Sequence, residues 1–512
     1  MPQLFQMVWL KQTRASLISW LPRICRDLGA VFAANGVSGL IGVAAVPIGI
    51  HYLGVGGYGV FSIYTLAVSY VLLADLGLSK NLLRLLAQQR ESATQASHLR
   101  TAMGLYSFLS VAWILLLPTL LVVVPKYVFP VPYQFLPALR GLIVCSVAEF
   151  VLGIPQSITQ TVCLANGNFG SYSRFAIVSS ILRNTVFMLG AMSGSPLLTG
   201  IFMVARKLPE FYLAIRMMGT PPRAAWRPVW GLRACRGMVS ESGQLSAAQI
   251  LYSTVMSAGS YLINRFFGLE GLGTYRAAFD LAGKVAFISN GVSLVVFPRF
   301  AALLARRTPR SPLTISAGPA LNVSWAVYNC LGGVGVILAP IILPRIAIRA
   351  TNAVDSFSLL IVGLSLNCHV LLSNEIIQAS GRYRLNMIVS GTALVLICGT
   401  FFASLNAAGP LAIGIAWIVA SFGAAVVADT AILRLLSIET HQILLSAGVK
   451  ITILLAAGCV LFWHFSLRSS VTVIAPFLVL ALCLGVSLAA FRRAYHVLLP
   501  STQVSLAPAE SA

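Results

Sequence analysis

Acidic residues are scarce in this chain: Asp and Glu number 13 among 512 residues, and all charged residues together make up only 9%. A soluble domain carries about 25% charged residues, so there is too little charge here to cover a water-facing surface. The nine cysteines form no CxxC pair and no metal-ligand spacing, and they fall mainly inside apolar stretches. They read as small core residues, which excludes a zinc module and a disulfide scaffold. His51, His369 and His464 stand isolated in sequence, so no metal site is expected.

What replaces charge is hydrocarbon. Hydrophobic residues make up 58% of the sequence, in runs that repeat from Leu28 almost to the C-terminus with short polar breaks. With about 20 apolar residues needed per span, the sequence predicts an all-α polytopic membrane protein. Spans fall near 28–50, 58–78, 102–124, 136–160, 175–194, 197–218, 243–264, 272–296, 314–343, 356–380, 386–408, 411–436, 449–466 and 472–490, about 14 in all. Residues 1–27 interleave Lys11, Arg14, Arg23 and Arg26 with Leu4, Phe5, Trp9, Leu17 and Trp20. This pattern suits a cytoplasmic amphipathic segment lying at the interface.

The formal charge of +22 is explained by topology before nucleic acid is invoked, because no soluble basic domain is present to bind one. Arg90, Arg100, Arg223, Arg227, Arg233, Arg236, Arg306, Arg307, Arg310, Arg492 and Arg493 cluster on one predicted side. Lys126, Arg265, Arg345, Arg349 and Arg468 are left on the other. The asymmetry places both termini in the cytoplasm of a bacterial inner membrane.

Glycines reveal an internal repeat. Leu53-Gly54-Val55-Gly56-Gly57-Tyr58-Gly59 is echoed 214 positions later by Phe267-Gly268-Leu269-Glu270-Gly271-Leu272-Gly273. At the same interval Gly77 and Ser79 meet Gly291 and Ser293, and Ala165 and Gly167 meet Ala379 and Gly381. Several matches at one offset indicate duplication. The expected organisation is a six-helix half over 28–218, a basic linker over 219–242, a second six-helix half over 243–436, two further helices over 437–490 and a tail over 491–512. The two halves would be related by an axis along the membrane normal and enclose a central cavity. Gly54, Gly57 and Gly59 are expected to make a tight outer turn between the first two spans.

Tyr52-Leu53-Gly54, Tyr58-Gly59-Val60-Phe61, Asp75-Leu76-Gly77-Leu78-Ser79 with Arg84, and more weakly Gln378-Ala379-Ser380-Gly381-Arg382, resemble the signature of the polysaccharide transporter family. That family includes O-antigen and exopolysaccharide repeat-unit flippases. It belongs to a superfamily that also holds multidrug exporters and lipid II flippases. The resemblance implies a flippase for a polyprenyl-pyrophosphate-linked oligosaccharide, working by alternating access among membrane lipids, with a polysaccharide polymerase and chain-length proteins as partners.

Ionisable groups inside spans point to function, since each costs at least ~2.5 kcal/mol at a helix centre unless paired or hydrated. The candidate substrate-binding cations are Arg140, Arg183, Arg206, Lys207, Arg276 and Lys284. Candidates for ion pairs, or for a coupling H+ or Na+, are Asp75, Glu149, Glu210, Asp280, Glu375 and Asp429. Arg276, Asp280 and Lys284 follow i, i+4, i+8 spacing and are expected on one helix face. Cationic excess suits a pyrophosphate, because Arg offers it a bidentate fork and Lys a point charge. Trp113, Trp325, Trp417 and Tyr172 are aromatics that could stack on sugars, although packing is the commoner use. An ion-coupled multidrug-type exporter would instead want an acidic site. A membrane polymerase or ligase would need catalytic groups on a substantial outer loop, and the predicted outer loops are short, with no carboxylate pair or nucleophile triad.

Overall fold

The computed structural model describes residues 2–73, 78–88, 92–220, 226–229, 232–286, 289, 324–325, 327–328, 331–336, 339 and 351–435. The elements are α1 (Pro2–Leu73), α2 (Leu78–Gln88), α3 (Ser92–Val123), α4 (Leu136–Ala165), α5 (Phe169–Ala191), α6 (Pro196–Ala205), α7 (Lys207–Met218), α8 (Leu232–Ala282), α9 (Thr351–Ala379), α10 (Tyr383–Ala408) and α11 (Ala412–Leu435). Short π and 3-10 turns join some of them, and no strand occurs among the described residues. Among the described residues, five stretches are long and apolar enough to cross a membrane: Gly36–Val71, Gln95–Val128, Tyr133–Ala165, Val354–Gln378 and Tyr383–Arg434. The spans expected over 437–490 and the tail lie outside the described residues, as do Asp75, Leu76 and Gly77.

The apolar surface faces outward as a lipid-solvated fold requires. On α3, Phe108, Val111, Ile114, Leu115 and Val122 are exposed at helical spacing. Such a stripe would be an aggregation site in water and is the solvated face in a bilayer.

The first two predicted spans form one continuous helix, α1, broken at a single residue. Gly54 takes φ 70° and ψ 167°, a conformation that L side chains rarely adopt. In α8 the break falls at Gly268, with φ 70° and ψ −169°. Gly167 and Gly381 likewise share a positive φ, 73° and 75°. A third pair, Gly194 and Gly409, lies one residue off the interval, with φ 70° and 56°.

Gly57 and Gly59 depart from the expected outer turn. Both are helical, and their missing side chains serve helix packing instead. A Cβ on Gly59 would lie 2.7 Å from the carbonyl oxygen of Leu269, and a Cβ on Gly273 would collide with the carbonyl oxygen of Val55. Gly59 corresponds to Gly273 in the repeat, and Val55 to Leu269. Each repeat thus inserts the same carbonyl into the same notch of the other, the reciprocal contact that a two-fold axis generates. The α1–α8 crossing built this way belongs to one continuous core holding Val60, Ile63, Tyr64, Leu272, Tyr275 and Ala278. Further along the chain, α11 packs on both α9 and α10.

The sixth predicted span, drawn unbroken over 197–218, is interrupted at Arg206 between α6 and α7. Pro209 is the physical cause. It has no N–H to bond the carbonyl of Ala205, and its ring crowds that carbonyl.

Candidate functional site

The break at Arg206 is where the first charge cluster forms. Arg206 turns into the protein and is 5% exposed, with its Nη2 2.5 Å from Glu149 Oε1 on α4 and its Nη1 3.6 Å from Glu210 Oε1. Lys207 Nζ lies 3.4 Å from carboxylate oxygens of both Glu149 and Glu210. Tyr64 of α1 donates to Glu149 Oε2, and Ser179 of α5 donates to Glu210 Oε1 at 2.7 Å. Two bases and two acids are therefore interlocked and locally neutral. This arrangement meets the main condition for burying charge, that each ion be paired.

A second cluster joins the repeats. Arg276 Nη2 lies 2.6 Å from Asp280 Oδ1, one turn along α8, and the guanidinium stacks 4.9 Å from the ring centre of Phe279. The other carboxylate oxygen of Asp280 accepts a 2.8 Å hydrogen bond from Tyr58 on α1. The expected i, i+4, i+8 ladder stops there. After Ala282 the helix tightens into a 3-10 turn over Gly283–Val285, which rotates Lys284 away from the register of an α-helix. Its ammonium packs against α1 at Gly42, where a Cβ would fall 2.5 Å from Nζ.

Arg183 completes the picture. It stands on α5 and is exposed. Among the described residues, neither Arg183 nor Lys284 has an ion-pair partner.

The remaining candidates are dispersed. Arg140 is exposed near the start of α4, two and a half turns before Glu149, and does not join the cluster. Glu375 is half-buried on α9. Asp429 belongs to a separate buried cluster in the C-terminal repeat, and it brings a correction. His369 is not isolated, because its Nε2 lies 2.8 Å from Asp429 Oδ1. A separation of 60 residues hid this pair, and the only available signal was that both are ionisable residues inside apolar runs. Trp325 and Trp417 are fully buried, with their N–H groups bonded to Asp429 and Tyr275 at 3.0 and 3.1 Å, so both serve packing and internal hydrogen bonding.

No protein-family model and no curated protein sequence matches the chain. Solved structures do. A structure described as the outward-facing conformation of a multidrug resistance MATE family transporter of the MOP superfamily aligns over 80% of this chain and 96% of its own, with TM-score 0.59 and 14% identity. The lipid II flippase MurJ, in an inward closed conformation, aligns over 91% and 98%, with TM-score 0.55 and 11% identity. A MOP superfamily transporter from Pyrococcus furiosus, described by the reverse polarity of its binding pocket as suggesting a different function, aligns over 83% and 96% at TM-score 0.62 and 14% identity. The chain is an all-α polytopic membrane protein with the fold of these transporters.

Proposed function

We propose that the chain is a flippase carrying a polyprenyl-pyrophosphate-linked oligosaccharide from the cytoplasmic to the periplasmic leaflet of a bacterial inner membrane, for assembly of O-antigen, capsule or exopolysaccharide. The observation that carries this reading is the pair Arg183 and Lys284, two cations that form no ion pair among the described residues. A diphosphate supplies the missing counter-charge, while the polyprenyl tail stays in lipid. In this reading Arg276, held by Asp280, adds a third contact. The signature residues around Gly54 and Asp75 support the same reading, as does a fold shared with a lipid II flippase.

A multidrug-type exporter is the alternative within this fold. It is disfavoured by the state of the acids: Glu149, Glu210 and Asp280 are each engaged by a base, which leaves none of the three for a cationic drug.

The deciding experiment deletes the gene and extracts lipids. Polyprenyl-linked oligosaccharide is expected to accumulate on the cytoplasmic leaflet, and a gene carrying Arg183→Glu with Lys284→Glu is expected not to relieve it. Unchanged lipid-linked oligosaccharide together with new sensitivity to cationic drugs would select the exporter instead.

A further inference from the structure

The segment joining the two repeats is anchored to the first of them. The Val229 N–H donates a 3.2 Å hydrogen bond to the carbonyl of Arg100 on α3, and Arg100 Nε donates at 3.3 Å to the carbonyl of Arg227. Within an α-helix the Arg100 carbonyl also serves the N–H of Gly104, one turn on, so its second lone pair takes the bond from the linker. Gly104 makes this approach possible. It is buried, and a Cβ there would collide with the carbonyl oxygen of Val229. Glycine inside a helix weakens it relative to alanine, and here the missing side chain is the seat of the linker backbone. Trp226 adds an edge-on contact with Phe211 of α7, ring centres 6.2 Å apart.

These contacts decide how far the repeats can part at this end. α7 ends at Met218, and α8, the first helix of the second repeat, begins at Leu232. Unpinned, the chain between them spans about 45 Å at full extension, whereas from a fixed Val229 to Leu232 it reaches only about 10 Å. The start of α8 is thereby kept beside α3, and α8 also contacts α2. We propose that residues 226–229 are a latch on the side that the cation bias reads as cytoplasmic. Seated on α3, they hold that side of the transporter shut, and they leave the Gly104 seat when it opens. Arg100 and Arg227 are exposed, so the two hydrogen bonds lie at a solvated edge. Such bonds, with one ring contact, are weak enough to break within a transport cycle, as a moving part requires.

The latch serves a flippase or an exporter alike, so its test needs no substrate and its failure leaves the flippase reading untouched. Hydrogen–deuterium exchange is followed by mass spectrometry on purified full-length protein in lipid nanodiscs. The wild-type 226–229 segment is expected to exchange about tenfold more slowly than unstructured chain. Val229→Pro removes the donor N–H outside any described helix, and Gly104→Leu fills the seat. In both variants the linker should lose its protection, and α2 and the first turns of α8 should exchange at least about threefold faster. The α1–α8 crossing around Gly59 and Gly273 should keep its wild-type rate. Should Gly104→Leu fail to fold, Val229→Pro decides alone. A wild-type linker that exchanges as fast as unstructured chain, or one that stays protected in the variants, would overturn the proposal. So would a loosened linker with α2 and α8 exchanging as in wild type, the mark of a passive tether.

Discussion

The hydroxyl of Tyr58 donates a 2.8 Å hydrogen bond to Asp280, tying α1 to α8 across 222 residues of sequence. Asp280 is thereby held between Tyr58 and Arg276, with a charged bond on one oxygen and a neutral donor on the other. Tyr58→Phe removes the donor alone and should cost about 1.5 kcal/mol, while Asp280→Ala strands Arg276 and should cost about 3 kcal/mol or more. Thermal unfolding of the single and double variants in detergent checks this. Because the residues touch, the double variant should be less destabilised than the two single effects added together.

Glycine is required at the α1–α8 crossing for space, not for backbone conformation. Gly59→Ala sets a methyl against the Leu269 carbonyl, and Gly273→Ala sets one against that of Val55. Each should lower the yield of monodisperse protein in size-exclusion chromatography, and Gly57→Ala, whose nearest neighbours are side-chain atoms at 3.3 and 3.4 Å, should lower it less.

In the N-terminal charge cluster, Glu149 accepts from Tyr64 and Arg206 and lies within 3.4 Å of Lys207. Glu149→Gln keeps the shape and removes the charge, leaving two cations against Glu210 alone. A loss of about 3 kcal/mol is expected, read as reduced folded protein in membranes. Adding Lys207→Met to Glu149→Gln restores the balance of charge and should recover part of that loss.

Arg183 and Lys284 should behave in the opposite way. With no ion-pair partner among the described residues, Arg183→Ala and Lys284→Ala should leave folded yield within about 0.5 kcal/mol of wild type. Polysaccharide export, in contrast, should fall sharply in both. Normal export by both well-folded variants would remove the basis of the pyrophosphate assignment.

The glycines show how much of the fold was legible. Gly54 with Gly268, and Gly167 with Gly381, could be found at one interval because a positive φ demands the same residue in both repeats. Gly194 and Gly409 escaped a gapless comparison because a single residue shifts them. Gly57 and Gly59 read as a turn because glycine-rich sequence looks the same whether it bends the chain or lets two helices touch. The deep charges were visible one by one, since any ionisable residue in an apolar run stands out. Their pairing was not. Whether Arg206 meets Glu149 or Lys284 meets Asp280 depends on helix rotation and on a Pro-induced break, and hydropathy encodes neither. Asp429 and His369 were separated for the same reason: contacts between helices that are distant in sequence carry no local pattern.

The reciprocal insertion of Val55 and Leu269 carbonyls beside Gly273 and Gly59 has an evolutionary corollary. A single ancestral unit would already own both the knob and the notch, so two copies could close on each other before any fusion. Once joined in one polypeptide, that crossing had to stay symmetric, while the interiors were free to diverge. One half now carries interlocked arginine, lysine and glutamate, and the other a histidine–aspartate pair, while the crossing where they meet still speaks for a shared ancestor.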